Sequence, residues 1–154
     1  MKDRGVQPIR LAAWALAALV ASTLAVAPAG AQTKELRFGH LHSVESPVHK
    51  GITRAAEEFG KSSGGRYRIN VFPSSQLGAA REMVAQVIDG TLDFVSEGPG
   101  SLSNLNKALS LFEAPFVARD WDHVQKMLAS PFGQEQLGKL AHDRNMVHVG
   151  TFYY

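Results

Sequence analysis

The chain of 154 residues contains no cysteine. That excludes a disulfide framework, a thiolate metal site and a cysteine nucleophile. It has no run of lysine and arginine, and the charge is nearly balanced at a formal +2. Of its 16 basic residues, Lys2, Arg4 and Arg10 lie in the first 31; of its 14 acidic residues, only Asp3 does. The remaining 123 residues therefore carry 13 charges of each sign, which gives no electrostatic footprint for nucleic acid or an anionic membrane. There is no internal repeat and no low-complexity linker. No Gly-x-Ser-x-Gly elbow or His-Glu-x-x-His helix is present. Glu57 and Glu58 are adjacent, so on a helix they diverge by about 100° and cannot act as an acid/base pair. Gly98-Pro99-Gly100 lacks the glycine or Lys-Ser/Thr that would make it a phosphate loop. Phe112, Phe116 and Trp121 read as core rather than as a stacking platform for bases.

What is present begins with a targeting segment. After the basic start, Leu11 to Val26 is an apolar run interrupted only by Ser22 and Thr23, and Ala29-Gly30-Ala31 has the small-x-small pattern of a cleavage site. The run falls short of the roughly 20 apolar residues of a membrane anchor. Residues 1–31 are thus expected to be a signal peptide cut after Ala31, and the exported remainder a cysteine-free domain that must be held by its core alone.

From Leu36 onward, strand and helix patterns alternate. Leu36 to Leu41 reads as a first strand. Ser46-Pro47 caps a helix with Val48, Ile52, Ala55, Ala56 and Phe59 on one face, closed by Gly64-Gly65. Tyr67, Ile69 and Val71 alternate with polar neighbours as a second strand, stopped by Pro73. Ser74 and Ser75 read as turn and cap residues, and Leu77, Ala80, Val84, Val87 and Ile88 as the apolar face of a helix ended by Gly90. Leu92 to Ser96 reads as a third strand, Leu102 to Leu111 as a short helix, and Phe112 to Phe116 as a buried loop or strand. Asp120 and Ser130-Pro131 start two more helices, with Trp121, Val124, Met127 and Leu128 inward on the first and Leu137 and Leu140 on the second. Met146 to Tyr154 reads as a last strand that stops without a closing turn, as in a truncated product. The pattern predicts an α/β fold, a mainly parallel sheet with helices on both faces. In such sheets ligands bind outside the carboxyl ends of the strands, which puts Pro73 to Gly78 and its counterparts in view.

Several of these segments resemble one family. Pro73-Ser74-Ser75-Gln76-Leu77-Gly78, Arg81-Glu82, Asp89-Gly90-Thr91-Leu92-Asp93-Phe94, the opening Leu36-Arg37-Phe38-Gly39-His40, Ala114-Pro115-Phe116-Val117, the Phe132-Gly133 helix start and a strand ending near Gly150 occur in the order seen in the solute-binding proteins of tripartite ATP-independent periplasmic (TRAP) transporters, the DctP type. Alanine stands at Ala114 where leucine is usual. The resemblance implies a periplasmic-binding-protein-like lobe (residues 32–154), the first and incomplete one of a bilobed, monomeric periplasmic receptor. Such a receptor binds a small organic acid, without a cofactor, and hands it to a membrane permease. It also implies that the arginine pairing with the ligand carboxylate belongs to a second lobe.

On the first lobe, the resemblance points to His40, Leu41 and His42 after the first strand, Gln76 and Arg81 around the second helix start, and Glu97, Gly98 and Ser101 after the third strand. Leu41 and Ala80 stand where some members carry polar residues, which suggests a ligand smaller or less polar than a sugar acid. Each residue also has a plainer role. Glu97 can accept from a ligand hydroxyl or ammonium, or be a solvated carboxylate. Arg81 can face the ligand anion, or pair with Glu82 or Asp89. Gln76 can support the turn. His40 and His42 could serve a metal with His49 or Glu45, the basis for a rival reading as a secreted α/β enzyme such as a metal-dependent hydrolase; otherwise one is a hydrogen-bonded histidine at the cleft floor.

Overall fold

The computed structural model describes residues 32–151. The expected signal peptide, and Phe152 to Tyr154 of the expected last strand, lie outside the described residues. Three parallel strands form the sheet: β1 (Lys34–His40), β2 (Tyr67–Phe72) and β3 (Phe94–Ser96), in the order β2-β1-β3. β1 is central, with Lys34 opposite Tyr67 and Gly39 opposite Phe72 on one side, and Phe38 opposite Phe94 and His40 opposite Ser96 on the other.

The helix between β1 and β2, α1 (Pro47–Ser62), starts where the Ser46 hydroxyl accepts from the Val48 N–H, with proline at its first position. It ends in a Schellman arrangement. The Gly65 N–H reaches the Gly60 carbonyl and the Gly64 N–H that of Lys61, with both glycines at positive φ. Val48, Ile52 and Ala56 are buried as expected, while Ala55 is exposed and Phe59 only flanks Tyr67, 5.8 Å between ring centroids. The next helix, α2 (Ala80–Ile88), is shorter than the apolar spacing suggested. Leu77 belongs to the turn before it, half-buried, and Ser74 and Ser75 do not cap it: both sit in the left-handed region, at φ 52° and 59°. The helix start is Ala79, whose N–H donates to the Glu82 carboxylate (2.9 Å). Gly78 makes this turn possible. Its φ is +114°, and a Cβ there would collide with the Glu82 side chain. Gly90 ends α2 as expected, with Thr91 N–H to Gln86 O and Gly90 N–H to Val87 O.

Helices cover both faces of the sheet, as adjacent residues of β1 show. A Cβ at Gly39 would lie 2.7 Å from Met83 Sδ of α2, whereas the next side chain, His40, meets His49 of α1. Because β2 lies to one side of β1 and β3 to the other, the right-handed crossovers must place α1 and α2 on opposite faces. The α2 side carries the main core: Val84, Leu109, Phe112, Leu140 and Met146, with Val87, Ile88, Val95, Leu102, Leu105, Met127 and Leu128 packed around it.

Beyond β3 the pattern was less faithful. Instead of one helix there are two 3-10 segments, Pro99–Leu102 and Lys107–Glu113, the second capped by the Asn106 side chain. Serines and asparagines between them bond locally and compete with a continuous helix. Phe116 is not core. It is fully exposed, at φ 65°, in a turn whose Val117 N–H returns to the Ala114 carbonyl. The last helices, α3 (Trp121–Ala129) and α4 (Pro131–Arg144), begin at the predicted caps, where the Asp120 and Ser130 side chains accept from the N–H groups of His123 and Gly133. Trp121, Val124, Met127 and Leu128 are half-buried and Leu140 is buried. Residues 146–151 form no strand: Met146 is buried, but Val147 and Val149 are exposed and no neighbouring strand pairs with them among the described residues. A strand needs a ladder partner for its N–H and C=O groups, and residue pattern cannot supply one.

Candidate functional site

Strand order 2-1-3 creates a topological switch at the carboxyl end of β1, since the chain leaves β1 to one side and β3 arrives on the other. Three connections meet that end of the sheet: residues 41–46, 73–79 and 97–106. Backbone hydrogen bonds join the first two. The Ser74 N–H donates to the His42 carbonyl (2.9 Å) and the Ser75 N–H to that of His40 (3.2 Å). The left-handed conformation of both serines aims these N–H groups back at the β1 loop. Across the switch, the pairing of His40 with Ser96 sets Leu41 beside Glu97 in the chain paths leaving the sheet.

In the β1 loop, His40 is fully buried. Its Nε2 lies 3.0 Å from His49 Nδ1, and His49 Nε2 lies 3.4 Å from Thr53 Oγ1, so the imidazoles form a short chain into α1. His40 Nδ1 is buried without a hydrogen-bond partner. Burial, reinforced by the charges that His49 and His42 can carry, holds the His40 pKa below the ordinary histidine value. The His42 ring stands 5.9 Å from that of His40, and Leu41 is exposed. Among the described residues no group of three or more His, Asp or Glu side chains is arranged to hold a metal.

In the β3 loop, Glu97 is half-buried. Its Oε2 accepts from the Ser101 hydroxyl (3.0 Å), while Oε1 is buried without a partner. Burial raises the Glu97 pKa above the ordinary glutamate value, the hydrogen bond from Ser101 opposes the rise, and the neighbouring Glu113 carboxylate adds to it. Glu113 is a residue that sequence reasoning missed. Its carboxylate accepts from the Gly100 N–H (2.8 Å) and fills the space that a Cβ on Gly98 or Gly100 would take. The paired glycines of Gly98-Pro99-Gly100 were the available signal. Gly98 has an ordinary φ of −74°, so its requirement is room and not conformation.

Gln76 and Arg81 are exposed, Gln76 in the turn with its N–H on the Pro73 carbonyl, and Arg81 in the first turn of α2. Arg81 forms no ion pair with Glu82 or Asp89; Glu82 is occupied in holding the Ala79 N–H. The structure thus brings the three loops to one end of the sheet. It places His40 beneath the surface, Glu97 and Ser101 in mutual contact, and Arg81 and Gln76 at the solvent side.

The bacterial extracellular solute-binding protein family 7 (DctP) matches residues 38–153. The TRAP periplasmic solute-binding protein from Polaromonas sp. JS666, solved bound to D-erythronate, is 33% identical, with a TM-score of 0.64 over 71% of this chain and 36% of that one. Its counterpart from Xanthobacter autotrophicus Py2, solved with β-D-galacturonate, is 31% identical with a TM-score of 0.64 over 73% and 37%. The 2,3-diketo-L-gulonate-binding periplasmic protein YiaO of Escherichia coli is 27% identical over 77% of this chain and 36% of its own length. The chain spans little more than a third of these relatives. The family consists of solute-binding receptors rather than enzymes, its members are periplasmic, and among the described residues no helix is long and apolar enough to cross a membrane. With the ordered motifs, the parallel sheet and this match in agreement, the chain belongs to the DctP family of bacterial extracellular solute-binding proteins.

Proposed function

We propose that residues 32–154 are the first lobe of an extracytoplasmic receptor that takes up a small organic acid and passes it to a TRAP membrane permease. Residues 1–31 are then the signal peptide that exports it. The observation that carries this reading is the topological switch point of a family-type lobe, with three loops gathered at the carboxyl end of β1, where ligands of open α/β sheets bind. In this reading Leu41, His42, Gln76, Arg81, Glu97, Gly98 and Ser101 offer the ligand contacts, and His40 supports the floor from below. Arg81, whose guanidinium has no carboxylate on it among the described residues, is the natural partner for an anion. Relatives are solved with acids, D-erythronate and β-D-galacturonate among them. The unpolar Leu41 favours a smaller acid for this chain.

One wall does not bind tightly. An ion pair open to water contributes about 0–1 kcal/mol, and submicromolar affinity needs more than ~8 kcal/mol. Calorimetry and amide NMR of residues 32–154 against C4-dicarboxylates, 2-oxo acids, sugar acids and aromatic acids test the proposal. The expected result is binding weaker than micromolar, with shifts confined to residues 41–42, 76–81 and 97–101. An acid bound submicromolarly would overturn the one-wall argument, and shifts from every acid falling elsewhere would overturn the site. Export predicts a periplasmic product beginning at Gln32; a membrane-retained protein still carrying Met1 contradicts it.

A further inference from the structure

The contact between the two imidazoles holds a proton count that the receptor reading does not use. His40 Nε2 and His49 Nδ1 are 3.0 Å apart, so one proton, and only one, lies between them. A first added proton is accommodated without loss. On His49 it leaves Nδ1–H donating to His40 Nε2 and Nε2–H donating to Thr53 Oγ1 (3.4 Å). His40 is then neutral, with its hydrogen on the buried Nδ1. A second proton has no such place. On His40 Nε2 it sets two N–H groups against each other and puts a charge in a fully buried ring. The charges that act on that ring, His49 of α1 and His42 of its own loop, both oppose a proton on it; the β3 residue paired with it, Ser96, carries no charge, and Lys50, Arg54 and Glu57 of α1 line the cavity that His49 borders on its other side.

We propose that the His40–His49 pair is a proton-operated latch beneath the β1 loop, closed while its four ring nitrogens carry two or three protons, the third held by His49, and opened when a fourth protonates His40 as well. Opening releases more than a side chain. The carbonyls of His40 and His42 hold the N–H groups of Ser75 and Ser74, so the β1 loop and the turn before α2 come loose together, and two of the three loops at the carboxyl end of β1 lose their mutual register. Acidification thereby disassembles the ligand wall while the sheet below it stays intact.

The test needs no ligand, so its failure is separate from failure of the receptor reading. Amide hydrogen exchange of the mature chain is measured against pH, corrected for intrinsic rates. Protection of the Ser74 and Ser75 amides should fall by roughly tenfold per pH unit once His40 begins to charge, the slope of a one-proton linkage. The amides of the β1–β2 ladder should hold. His40→Leu should abolish the step. His49→Leu removes both the opposing charge and the partner that keeps His40 neutral, and should move the step to higher pH. Imidazole ¹⁵N spectra of the unmutated chain give a second readout that does not depend on the variants folding: His40 should keep its neutral pattern while His49 is charged. Flat protection at Ser74 and Ser75, loss of the whole ladder in the same step, a step that survives His40→Leu or stays in place in His49→Leu, or simultaneous charging of the two rings would each overturn the latch.

Discussion

The loops after β1 and β3 reach the same end of the sheet with opposite chemistry. One buries an imidazole, the other a carboxyl, and each leaves one polar atom unpartnered: His40 Nδ1 and Glu97 Oε1. Their pKa values move in opposite directions, His40 down and Glu97 up, and burial is the leading cause in both. The shared lesson is that desolvation favours the neutral form whichever sign the charge would have. The difference lies in the neighbours. His40 sits against a second imidazole that can share a proton with it, whereas Glu97 has a hydroxyl on one oxygen and a second carboxylate nearby.

The largest break in this comparison is expected from Gly39→Val. Its side chain would enter the space of Met83 Sδ, Leu77 and Leu92 beneath both loops, and overpacking of this kind costs about 1–3 kcal/mol. A denaturant midpoint unchanged from wild type would show that the floor can shift. Gly100→Ala should disturb the β3 loop alone. It displaces the Glu113 carboxylate from the Gly100 N–H, a loss of about 1–2 kcal/mol that should leave the Ser74 and Ser75 amides as protected as before. Gly51→Ala is the counter-experiment in α1, at an exposed position where a Cβ meets nothing within 4 Å. It should stabilise by roughly 0.5–1 kcal/mol through helix propensity, and a lower melting temperature would mean that α1 is packed there by something else.

The smallest effect sharpens the contrast in sign. Because the folded pKa of Glu97 is raised, the folded state holds this proton more tightly than the unfolded state. That stability is full in acid and is lost as pH rises through the folded pKa. Glu97→Gln should therefore melt modestly higher than wild type at neutral pH, and the gain should fade below the ordinary glutamate range. His40 behaves in the reverse way: its pKa is lowered, so its contribution is present above the ordinary histidine value and lost as pH falls through the folded pKa. His40→Leu should accordingly flatten the acid side of the stability profile. Melting curves of both variants across pH 4 to 8 would expose a wrong sign in either.

Residue pattern determined the first half of the fold closely. The Ser46-Pro47 cap, the Gly64-Gly65 and Gly90 endings and the alternation of Tyr67, Ile69 and Val71 act within a few residues of themselves, and each produced the element expected of it. The caps at Asp120 and Ser130 did so as well. The ordered motifs were enough to name the family. Tertiary structure decided the rest. Whether Met146 to Thr151 pairs as a strand depends on a neighbour distant in sequence, and Phe116 is exposed because a left-handed turn carries it outward, a choice that apolar character cannot make. The turn at Ser74 and Ser75 takes a conformation that serine does not prefer, held by carbonyls more than 30 residues away. The meeting of His40 with His49, and of Glu113 with Gly98 and Gly100, likewise depends on how separate segments pack, and packing at that range leaves no period in the sequence to read.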